Sequence, residues 1–114
     1  METAETTQMT LARWLLAGVK AGETTEANDK ILALNDDERD EKDWVANPVG
    51  LLLIGKFGSA EAADRACRQT GGKNMENVSK ILGISEELAG EILKRQERGI
   101  PMDRIAEQLE REEL

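Results

Sequence analysis

Apolar side chains recur along this chain with a helical period. From Gln8 to Ala21, Met9, Ala12, Leu15, Leu16 and Val19 fall on one helical face, and Leu11 and Trp14 widen the arc. So broad an arc exceeds the stripe of an ordinary surface helix, which predicts that this segment is central to the core or to an interface. Gly22 ends it. Thr24 or Thr25 then caps a predicted helix that buries Ala27, Ile31, Leu32 and Leu34. Asn35 caps an acidic helix through "NDDERDEKDWVANP", where the pairs Glu38 with Lys42 and Arg39 with Asp43 support a solvated face and Trp44 and Val45 are the anchors. Asn47-Pro48 is a cap followed by proline at a first helical position, so "PVGLLLIGKF" is predicted to be helical. A buried strand over 51–57 is the alternative, and the helix is preferred because no second strand stands out to pair with it.

Gly58 stops that helix and Ser59 caps the next, in which Ala63, Ala66, Cys67 and Thr70 leave room for a close helix neighbour. "TGGKN" is the clearest break in the chain. Beyond it, Asn74 caps a helix with Met75, Val78, Ile81 and Leu82 inward, ended by Gly83. Ser85 caps a second with Leu88, Ala89, Ile92 and Leu93 inward, ended by Gly99. Pro101 opens a third with Met102, Ile105, Ala106 and Leu109 inward. Every start and stop signal here agrees with the apolar period. The organisation predicted is a disordered N-terminus over 1–7, a helical region over 8–70, a Gly-rich break at 71–73 and a three-helix unit over 74–114. The fold class expected is all-α, about seven short helices in one compact domain. "KAGETTEAND" and "KFGSAEAAD" share Lys-x-Gly, a hydroxyl, Glu-Ala and Asp, which two good helix starts would also share.

Composition narrows the function classes. The 114 residues are one domain's worth of chain, and with Trp14, Trp44 and Phe57 the only aromatics, the core must come from Leu, Ile, Val and Ala. Net charge is -8, distributed as -6 over 1–46, +2 over 47–73 and -4 over 74–114. Nucleic-acid binders gather Lys and Arg on one face, because phosphate neutralisation supplies most of their affinity. The single Cys67 cannot form an internal disulfide, and no apolar run approaches a bilayer span. "METAETTQ" is acidic and polar where a secretory signal would be basic and then apolar, so a soluble cytoplasmic protein is expected. Histidine and tyrosine are absent, which removes the usual acid-base and metal-binding groups. No enzyme, no cofactor and no metal site is expected.

Two resemblances attach to residues 74–114. "NVSKILGISEELAGEILKRQERG" resembles the first helix and turn of helix-turn-helix proteins, with Gly83 at the turn, Val78 and Leu82 packing the first helix and Ile84 in the turn. That resemblance implies DNA contacts, for which Lys73, Lys80, Lys94, Arg95 and Arg98 are the candidates. The positions that would face base edges hold Glu86, Glu87, Gly90 and Glu91, and carboxylates are repelled from a phosphate-lined groove. "VSKILGISEELAGEIL" followed by "GIPMDRIAEQLE" is also similar to the ubiquitin-associated-like three-helix module. That likeness implies protein binding, with Gly83 and Ile84 as contact residues.

The remaining motifs take their simpler readings. Asp36, Glu38 and Asp40 alternate as in a calcium loop but lack its sixth-position glycine and twelfth-position glutamate. "RQTGGKN" lacks the first glycine and the final hydroxyl of a phosphate loop. Cys67, between Arg65 and Arg68, is expected to be a small buried residue. The function expected is a small acidic adaptor, inhibitor or modulator that binds a protein. Trp14, Trp44, Leu51 and Ile54 are its candidate apolar anchors, and Asp36, Asp37, Asp40 and Asp43 its steering charges. The alternatives are a helix-turn-helix DNA-binding regulator and a self-assembling homo-oligomer that uses the arc over 8–21. No membrane contact is expected.

Overall fold

The computed structural model describes residues 6–27, 29–34 and 43–114. Among the described residues there are six helices and three short strands: α1 (Gln8–Ala21), β1 (Thr24–Glu26), β2 (Leu32–Leu34), β3 (Trp44–Ala46), α2 (Pro48–Phe57), α3 (Ala60–Thr70), α4 (Met75–Leu82), α5 (Glu86–Glu97) and α6 (Met102–Glu110). The acidic helix expected after Asn35 falls mostly on residues 35–42, outside the described residues, as do the first five residues of the expected disordered N-terminus.

Local chemistry explains the helix starts. The side chains of Thr7, Asn47, Ser59, Asn74 and Ser85 each accept a hydrogen bond from the backbone N–H three residues on, satisfying a donor that the first turn leaves free. Gly22, Gly58 and Gly83 close α1, α2 and α4 in the left-handed conformation that a side chain would disfavour.

The all-α expectation is corrected between α1 and α2. Thr24 and Thr25 lie in a strand instead of capping a helix, and Leu32 and Leu34 belong to a second strand. The sheet order is β1-β3-β2, with β1 parallel and β2 antiparallel to the central β3, so that Thr24 and Leu34 both register with Trp44. β-Branched and aromatic residues favour this pairing, and the partner strand lies about twenty positions downstream, where a local period cannot reveal it. The two similar stretches diverge accordingly: "KAGETTEAND" runs from the end of α1 into β1, whereas "KFGSAEAAD" runs from α2 into α3.

The core is continuous across the Gly71-Gly72 break. Leu11 and Leu15 of α1, residues 51–54 of α2, Val78 and Leu82 of α4, Ile92 of α5 and Ile105 and Leu109 of α6 belong to one buried cluster. α1 packs on α2 and on α6. The α1–α2 contact is backbone against backbone: a methyl group on Gly18 would sit 2.1 Å from the Leu51 carbonyl oxygen, and one on Gly55 1.9 Å from that of Trp14. The sheet is tied to the C-terminal helices by Gln96, whose buried Nε2 donates to the Ala27 carbonyl at 2.9 Å and to Glu26 Oε1 at 3.0 Å. The Gln8 carboxamide pairs with the backbone of Leu114 in both directions, at 2.7 and 3.0 Å.

Candidate protein-contact surface

The broad apolar arc of α1 divides in two. Leu11, Ala12, Leu15 and Gly18 are buried against α2 and α6. Met9, Leu16 and Val19 keep 45, 47 and 45 % of their surface exposed, and among the described residues only Leu34 is another large apolar side chain exposed to this degree. Met9, Arg13, Leu16 and Lys20 follow one another at i, i+4, i+7 and i+11, so they line one outward ridge with Val19 beside it. Trp14 is half-buried at the α2 edge, where Lys56 Nζ stands 5.3 Å from its ring centroid and 5.7 Å from that of Phe57. Lys56 also donates to the Ile81 carbonyl, which holds the ammonium over the indole.

Leu51 and Ile54 are buried core residues and present no side chain to a partner. Their helix is apolar on all sides because α1, α3, α4 and α5 all pack on it. Trp44 is half-buried in β3 opposite the exposed Leu34 of β2. With Asp64, Arg68 and Lys73 the two line a groove of about 380 Å3. Of the proposed steering charges, Asp43 is exposed, and Asp36, Asp37 and Asp40 lie outside the described residues.

Gly83 adopts φ 72° at the α4–α5 turn, and Ile84 is partly covered. The Gly83 carbonyl accepts from the Thr6 N–H at 3.0 Å, and a methyl group on Gly83 would meet Thr6 Oγ1 at 2.5 Å. The segment leading into α1 therefore lies across this turn.

The five candidate DNA contacts are largely engaged. Lys73 bonds Asp64 at 2.6 Å, and Lys80 and Lys94 each lie 3.5 Å from a glutamate of their own helix, Glu76 and Glu91. Arg95 Nη1 donates to Gln108 Oε1 at 3.0 Å, while its buried Nε has no partner. Arg98 is exposed. Phosphates would have to displace carboxylates from three of the five, and Glu86 and Glu87 open α5 where base contacts would form.

Cys67 is fully buried on α3. Burial pushes its thiol above the ordinary value, the neighbouring Asp64 charge adds to this, and Lys73 opposes it. The thiol therefore stays neutral and shielded, the opposite of an activated nucleophile. Among the described residues no cluster of His, Cys, Asp or Glu is arranged to hold a metal ion, and no helix is long and apolar enough to cross a membrane.

The ridge on α1 was half legible in the sequence. The breadth of its arc marks an interface or a core position, and the structure shows one half buried in the core and the other half exposed. What a periodicity cannot supply is which half α2 and α6 cover. Comparison with protein-family models, with curated proteins and with solved structures finds no match for the chain.

Proposed function

We propose that this chain is a small acidic, non-enzymatic protein-binding module, an adaptor, inhibitor or modulator that acts in the cytoplasm by occupying a surface of a larger protein. The observation that carries this reading is the divided arc of α1. One half of the helix is locked into the core, while the other holds Met9, Leu16 and Val19 half-exposed on a rigid ridge. An apolar ridge held by secondary structure loses little conformational entropy on docking, and it supplies the water-excluding centre that a protein interface needs. Trp14 at the margin adds the side-chain type most often found at binding hot spots.

The test is affinity capture from the source cell's lysate, with and without nuclease, using the natural chain and a Leu16→Glu/Val19→Glu variant checked for unchanged helicity and melting. A protein should be retained after nuclease by the natural chain and lost by the variant. Retention that disappears on nuclease treatment, or that ignores the two substitutions, would overturn the proposal.

A further inference from the structure

The charge around the ridge separates it from the rest of the molecule. The chain holds 23 acidic residues, yet none lies between Thr6 and Gly22, and none in α2. The outward face of α1 carries only cations, Arg13 and Lys20, and the adjoining edge of α2 adds Lys56. Six other cations, Arg65, Arg68, Lys73, Lys80, Lys94 and Arg111, each have a carboxylate partner. Arg13 and Lys20 have none among the described residues, as is also true of Lys30, Arg98 and Arg104, but each of those three follows an acidic residue directly in the chain, Asp29, Glu97 and Asp103. An apolar ridge bordered by unpaired cations, on a protein of net charge -8, is complementary to an apolar surface bordered by carboxylates.

From this we infer that the α1 ridge docks an acidic amphipathic helix of a partner protein, with apolar side chains seated among Met9, Leu16 and Val19 and its flanking glutamates or aspartates facing Arg13 and Lys20. The inference rests on the protein-binding reading above and names the class of partner. A helix fits because the row Met9, Arg13, Leu16 and Lys20 runs along about 16 Å of α1, three turns against which another helix can pack ridge into groove. A second copy fits poorly. Pairing α1 with α1 sets like charges, Arg13 and Lys20, against one another, and pairing α1 with the acidic surface of another copy is a head-to-tail contact that leaves a free ridge at one end and a free acidic surface at the other unless the rotation closes a ring. A lipid or nucleic-acid surface meets the whole -8 charge, whereas a short acidic helix meets chiefly the local field of two unpaired cations.

The experiment titrates the 15N-labelled full chain with three probes. Two are synthetic amphipathic helical peptides of identical apolar sequence, one flanked by glutamate and one by lysine; the third is phosphatidylserine vesicles. The glutamate peptide should shift α1 amides and bind at least about tenfold tighter than the lysine peptide. Its affinity should fall with added salt, and Arg13→Glu/Lys20→Glu should weaken it about tenfold while leaving the melting temperature unchanged. Equal or tighter binding of the lysine peptide, shifts confined to other elements, or a preference for the vesicles would overturn the inference. If neither peptide binds while lysate capture still depends on Leu16 and Val19, the acidic-helix assignment fails and the protein-binding reading stands. If capture ignores those two residues, the protein-binding reading itself fails.

Discussion

The α1–α2 pair and the α4–α6 unit are both helical, but they are held by different means. In α1 and α2 there is no acidic residue, and the helices meet where Gly18 and Gly55 bring one backbone against the other. In α4, α5 and α6 the caps at Asn74 and Ser85 and the pairs Lys80 with Glu76, Lys94 with Glu91 and Arg111 with Glu107 stabilise each helix from within. Both regions have capped helices and share the core, but the first pair adds a backbone-to-backbone fit and the second unit a set of small ion-pair terms. Fit fails abruptly when a methyl group is added, whereas local terms fail one at a time.

Substitution of the interfacial glycines should have the largest effect. Gly18→Ala and Gly55→Ala each force the helices apart, because the obstructing atom is a backbone carbonyl that has no rotamer to move to. A loss of about 3 kcal/mol each is expected in urea unfolding, at the upper end of ordinary overpacking costs. A loss below 1 kcal/mol would mean that the helices slide freely and that fit does not hold them. Gln96→Ala comes next. It leaves the Ala27 carbonyl unpaired at the junction of sheet and α5, and about 2 kcal/mol should be lost. Unchanged stability would show that water replaces the amide.

Within the C-terminal unit the effects should be smaller. Asn74→Ala removes the bond to the Asn77 N–H at 2.9 Å and should cost about 1 kcal/mol, with hydrogen exchange quickened in α4 before α5. Gly90→Ala runs the other way. This helical glycine has open space where the methyl group would go, so the substitution should raise stability by about 0.7 kcal/mol. The same change that disrupts one region would thus strengthen the other. Destabilisation by Gly90→Ala would erase the contrast.

That contrast also governs what the sequence disclosed. The four helices from Pro48 to Glu97 announce themselves through a cap, a nearby glycine stop and a period of apolar residues, all within about fifteen positions, whereas α6 has only Pro101 and its apolar period. Asn47-Pro48, Ser59 and Gly83 behave as their chemistry demands. The strands were hidden because each is three residues long, and a segment such as Thr24–Glu26 acquires its state from Trp44–Ala46, far along the chain. Two stretches with nearly the same local signals therefore end in a strand and a helix. The proposed contact surface is obscured in a similar way: Leu51 and Ile54 are as apolar as Leu16 and Val19, and only the placement of neighbouring helices decides that the first two are core and the second two half-exposed.

The packing of α6 on α1 also orders events in time. α1 emerges during synthesis well before one of its two neighbours, α6, which spans Met102–Glu110. Until then the α6-facing side of α1 stays bare alongside Met9, Leu16 and Val19, so the nascent chain carries more exposed apolar surface than the finished protein. Contacts so distant in sequence close slowly and expose the chain to association while they form. The helix proposed to recognise the partner is thus made well before its packing is complete, and a partner arriving before α6 would meet a different, wider surface.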